Sequence, residues 1–159
     1  MNFLTQARKA IWAELKGDPA ISGALRGGST FEFDTGVLKR LEVMPVNCPY
    51  LAIVPSDADL RPPGTNTHKV WLWRLAIEMA TAGQDVEPCE ELLVLTLDRL
   101  IEPREAYFGL ASTGFTGLAI GQAKWVLWQA DDKSTANPIW VCNVPVGLKF
   151  QRKYPNMGG

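Results

Sequence analysis

The stretch NTHKVWLWRLAIEMATAG occupies residues 66–83. Its apolar residues recur at every second place, which predicts a long β-strand. Trp71, Trp73, Leu75, Ile77 and Met79 then share one face, and Val70, Leu72, Arg74, Ala76, Glu78 and Ala80 share the other. The first face is wholly apolar and needs a covering layer of helices. The second mixes apolar and charged groups, so it is only partly covered or meets a partner.

The neighbouring stretches supply that covering layer. Downstream, GQDVEPCEELLVLTLDRLIEP changes the period to that of a helix, placed at 86–101. Asp85 serves as its cap, Pro88 fits its first turn, and Pro103 closes it. Glu87, Glu90 and Glu91 suit the positive N-terminal end, and Arg99 the other. Cys89, Leu92, Leu93, Thr96, Leu97, Leu100 and Ile101 make the buried stripe. At the N-terminus, Leu4, Ala7, Ile11 and Leu15 recur at helical spacing over 3–16, between a capping Asn2 and the stop at Gly17. Asp18–Pro19 starts a further turn or two before Gly27–Gly28.

Other stretches read as strands. TFEFDTGVLKRLEVMPV predicts a hairpin with its tip at Asp34–Gly36, and PYLAIVPS (49–56) a central strand. Residues 57–67, DADLRPPGTNT, have the composition of an exposed loop that connects this strand to the opening one. Residues 118–131 and 138–154 predict an antiparallel pair, followed by a loose tail at 155–159. The order of helix, strands, long helix and strands implies one α+β domain: an antiparallel or mixed sheet with the N-terminal and central helices packed on one face.

The bulk composition excludes several classes. The chain has 159 residues, 47% hydrophobic and 21% charged, with a net charge of −1. That is enough chain for a sizeable core and carries no overall field toward nucleic acid or membrane. No apolar run reaches bilayer length, and the amphipathic first 18 residues lack the apolar core of a secretory signal, so a mature chain made in the cytosol is expected. Cys48, Cys89 and Cys142 are far apart in sequence and odd in number, which predicts buried free thiols.

No set of residues predicts catalysis, a metal or a cofactor. His68 is the lone histidine, and no G-x-S-x-G surrounds a serine. SDADL has acids two apart but lacks the glycine and closing glutamate of a calcium loop. GFTGLAIGQ has neither dinucleotide nor P-loop spacing. Near the C-terminus, KFQRKYP places Lys149, Arg152 and Lys153 beside Tyr154, a weak signal for phosphates or bases against that of a solvated strand end. Six tryptophans remain. Trp125 and Trp128, three apart, point to opposite faces of a regular strand. They serve either a large aromatic core or an interface, where aromatics and arginine are enriched.

An N-terminal helix, CPYLAIVPS, a polar loop, KVWLWRLAIEMATAG, the acidic-start helix EPCEELLVLTLDRL and then strands follow in order over about residues 3–150. This order and texture resemble the tail terminators and related neck proteins of long-tailed bacteriophages. The resemblance implies a non-enzymatic virion protein, assembled in the host cytoplasm, that forms a hexameric ring at the head-proximal end of the tail. Its implied partners are other copies of itself, the tail tube protein and the head–tail connector proteins. DNA would pass through the ring without sequence-specific binding, and no membrane is involved. The strands after Gly114 are long for the smallest members, so other neck, tail-completion and head-completion subunits stay open. So does a small binding module for aromatic ligands or nucleic acid. The candidate subunit contacts are Arg61 in the polar loop, Arg74 and Glu78 on the mixed strand face, and Trp125 and Trp128.

Overall fold

A computed structural model describes residues 3–25, 30–31, 48–55, 68–101, 110, 114–128 and 138–153. The predicted tip at Asp34–Gly36, the 57–67 loop and the 155–159 tail lie outside them. The elements run α1 (Phe3–Lys16), α2 (Pro19–Ala24), β1 (Thr30–Phe31), β2 (Tyr50–Pro55), β3 (His68–Ala82), α3 (Glu87–Ile101), β4 (Phe115–Ile120), β5 (Lys124–Trp128) and β6 (Ile139–Lys153). The fold is α+β, as the alternation of periods implies.

The sheet order is β1-β2-β3-β6-β4, with β5 also paired to β6. β1 runs parallel to β2, and every other pairing is antiparallel, so the sheet is mixed. The long strand of the opening stretch pairs along its whole length with β6, from His68 opposite Lys153 to Ala82 opposite Ile139. The one strand expected over 118–131 is two. β4 and β5 follow each other along the same edge of β6, and Gly121 bridges the break by donating its backbone N–H to Pro145 O at 2.7 Å.

Register decides which side chains meet. On one face Leu51, Met79 and Cys142 form a row, Ile53, Ile77 and Val144 the next, then Leu75, Val146 and Ile120. These rows lie under the helices. Apart from the half-buried Ile120, which packs against it, they form one buried cluster with Ala7, Ile11 and Leu15 of α1, Ile21 of α2 and Cys89, Leu92 and Leu100 of α3. Trp73 packs against its margin. Phe150, fully buried, takes edge-on contacts from Phe3 (centroids 4.9 Å apart) and Phe115 (5.6 Å), tying α1 and β4 to the sheet.

The helices start where local chemistry provides acceptors. The Asp18 carboxylate accepts from the N–H groups of Ala20 and Ile21 at the start of α2. Asp85 accepts from Glu87 N at the start of α3. Arg99, in the last turn of α3, pairs with Glu14 of α1 at 2.7 Å and approaches Asp18 at 3.9 Å, so one guanidinium joins all three helices. Between β3 and α3, Gly83 takes φ 118°, a conformation side-chain-bearing residues rarely adopt. Its N–H donates to Pro138 O, which closes the end of the β3–β6 ladder.

Candidate assembly surface

The sheet face turned away from the helices falls into two halves. In one half Tyr50, Ala80, Ile139 and Cys48 form a small buried cluster. Glu78 belongs to this half, at 1% exposure, and its Oε1 accepts a hydrogen bond from the hydroxyl of Tyr50, also 1% exposed, at 2.9 Å. Glu78, expected at a subunit contact, is instead buried against Tyr50 within its own subunit. Alternation correctly put it on Arg74's face, but its side chain is covered there, between the half-buried Ala52 and Asn143.

The other half is open. Arg74 is exposed, and its row partners are small: Gly147 on β6 and Ala119 on β4. With Leu72, Gly121, Lys124 and Pro145 they border a shallow trough of about 470 Å³. A Cβ at Gly147 would meet Leu72 Cδ1 at 3.0 Å, so a side chain there would push Leu72 aside and fill the floor. Lys124 and Lys149 are exposed on the same face. The long cationic chains of Arg74, Lys124 and Lys149 thus rise around a floor of small residues. The sole carboxylate on this face among the described residues is Glu78, buried and hydrogen-bonded to Tyr50.

β5 runs along the edge beside the trough. Trp125 is 37% exposed, Val126 56% and Leu127 44%. Trp125 stands opposite Cys142 and Trp128 opposite Ile139, so the two tryptophans hold positions of opposite face, as their spacing predicts. Three consecutive exposed large apolar residues on an edge strand are an unusual cost for a monomer, because such an edge readily recruits another chain. Arg61 lies outside the described residues. Lys124 and Gly147 were not among the expected contacts. Strand parity alone assigns each to a face of its own strand, and only the β3–β6–β5 register sets them beside Arg74.

The three cysteines are free and buried. Burial is the main cause that pushes Cys48 and Cys142 up to about 11 and about 12, with Cys89 nearby adding to it. Burial likewise pushes Cys89 to about 11, partly offset by hydrogen bonds with Thr81 and the Cys142 backbone. Such thiols stay protonated and are poor nucleophiles and metal ligands. Among the described residues no group of three or more His, Cys, Asp or Glu is placed to hold a metal ion. No helix among them is long and apolar enough to cross a membrane.

No protein-family model matches the sequence, and no curated protein matches it at a significant level. Among solved structures, the fold is similar to that of a chain in a structure described as the virion of a native gene transfer agent (GTA) particle. The TM-score is 0.58 and the identity 12%, and the match covers 92% of this chain and 94% of that one. At this identity the likeness is one of fold, and it extends over nearly the whole of both chains.

Proposed function

We propose that this protein is a structural subunit of a phage-like virion with no enzymatic role, and that within the particle it is the tail terminator. In this role it forms a ring, hexameric by the resemblance, at the head-proximal end of the tail tube. There it halts tube polymerisation and presents the surface that joins the head connector. The observation that carries the reading is the near end-to-end fold likeness to a chain of a gene transfer agent virion. The exposed apolar edge of β5 and the cationic trough support it, since both are surfaces a subunit would use against other subunits. Arg74 and Trp125 are the contacts proposed on those surfaces, and Arg61 and Trp128 are proposed from the sequence.

The test is inactivation of the gene in the particle-producing host, followed by electron microscopy of the products. Loss of a stop on polymerisation gives overlong tails and filled heads without tails. Unjoined tails of normal length would identify another neck subunit, and intact particles would overturn the virion role.

A further inference from the structure

We propose that the open trough on the sheet receives the outer face of α3 from a second copy of this chain, in a head-to-tail contact. Two surfaces carry the inference. The first is the trough with its edge: Arg74, Lys124 and Lys149 around Gly147 and Ala119, with Val126 exposed alongside. The second is the stripe of α3 that faces away from its own sheet. Cys89, Leu92, Thr96 and Leu100 point inward. Glu87, Glu91, Val94, Asp98 and Ile101, spaced by four, three, four and three residues, therefore line the opposite side, and all are exposed.

The two surfaces are complementary in both charge and apolarity. The stripe exposes Val94 and Ile101, and on the trough's face β5 exposes Val126, with Trp125 and Leu127 at positions on its other face. One surface adds carboxylates to its apolar groups and the other adds cations. No ion pair among the described residues engages the carboxylates of Glu87, Glu91 or Asp98, or the cations of the trough. A phosphate backbone would use the cations but would leave Val126 of β5 in water and the acidic stripe of α3 unmatched, so a protein partner fits better than nucleic acid. α3 is about 22 Å long, short enough to lie along the paired region of β6.

Geometry also sets the symmetry. The stripe and the trough lie on opposite sides of one molecule, the helix layer and the bare sheet face, so a chain cannot close the contact on itself. Two copies related by a twofold would not satisfy both surfaces with one interface. A heterologous contact repeats from copy to copy and gives a ring if the rotation closes. The inference rests on the virion-subunit reading only for its biological setting.

A charge swap tests it by sedimentation. Arg74→Glu/Lys124→Glu makes the trough acidic, and Glu87→Lys/Glu91→Lys makes the stripe basic. All four positions are exposed, and unchanged thermal melting confirms that the variants fold. The wild type is expected to self-associate more weakly as salt rises from about 50 mM to about 500 mM. Each double variant is expected to lose at least about tenfold in self-association. Their equimolar mixture is expected to regain it, because each variant's altered surface then meets its complement. Three results would overturn the proposal: a wild type monomeric up to about 1 mM at low salt, variants that associate normally, or a mixture that fails to recover. Salt-sensitive binding of a short DNA duplex, lost in Arg74→Glu/Lys124→Glu without self-association, would assign the trough to nucleic acid. Variants that associate normally leave the virion role standing, whereas intact particles after gene inactivation remove that role without touching the sedimentation result.

Discussion

Replacing Tyr50 by Phe should lower stability and leave assembly intact. The hydroxyl of Tyr50 donates to Glu78 Oε1 at 2.9 Å, and both residues are 1% exposed. A buried hydrogen bond contributes about 0.5–1.5 kcal/mol net, and its loss leaves a buried side-chain oxygen short of one donor, which costs about 1–3 kcal/mol. The ring stays, so packing of the small cluster with Ala80 and Ile139 is little changed. The expected cost is about 2 kcal/mol. Arg74→Glu, two rows away on the same sheet face, alters an exposed group and should cost less than about 0.5 kcal/mol. Urea unfolding, followed by tryptophan fluorescence at a concentration that keeps the chain monomeric, separates them. With a slope of about 2–3 kcal/mol/M, Tyr50→Phe lowers the midpoint by about 0.7–1 M, and Arg74→Glu leaves it nearly in place. A Tyr50→Phe midpoint within about 0.2 M of wild type would show that the bond to Glu78 contributes little. A variant that keeps its stability but loses self-association would put the pair at a subunit contact after all.

Phe150→Ala removes a fully buried ring together with its edge contacts to Phe3 and Phe115, and should cost about 3–5 kcal/mol by the same unfolding measurement. Asp18→Ala removes the acceptor of two backbone N–H groups and should cost about 1 kcal/mol. The thiols of Cys48, Cys89 and Cys142 should react with a disulfide reagent only after unfolding. Their folded values lie above the unfolded thiol range, so their contribution is full below about pH 9 and is lost as pH rises through about 11–12. The urea midpoint should therefore fall on the alkaline side, and serine replacements at these positions should flatten that fall.

The sequence by itself determined the periods, and with them most of the layer structure. Alternation in VWLWRLAIEM separated Leu75, Ile77 and Met79 from Arg74 and Ala76, and helical spacing in EELLVLTLDRL marked the side of α3 that meets them. Both are local properties, because side-chain direction repeats every two residues in a strand and every 3.6 in a helix. The partners across strands were decided by the tertiary structure alone. Parity places Arg74 and Glu78 on one face and says nothing about depth. Glu78 is covered and meets the Tyr50 hydroxyl, from 28 residues upstream, because β2 pairs with that end of β3. Arg74 stays open because β6 and β4 bring Gly147 and Ala119 beside it. The division of residues 118–131 into β4 and β5 likewise depends on Pro145 O accepting from Gly121 across the ladder. Which residues share a face is set by the geometry of one strand. Which of them are buried is set by register between strands distant in sequence, and that register depends on the whole packed core.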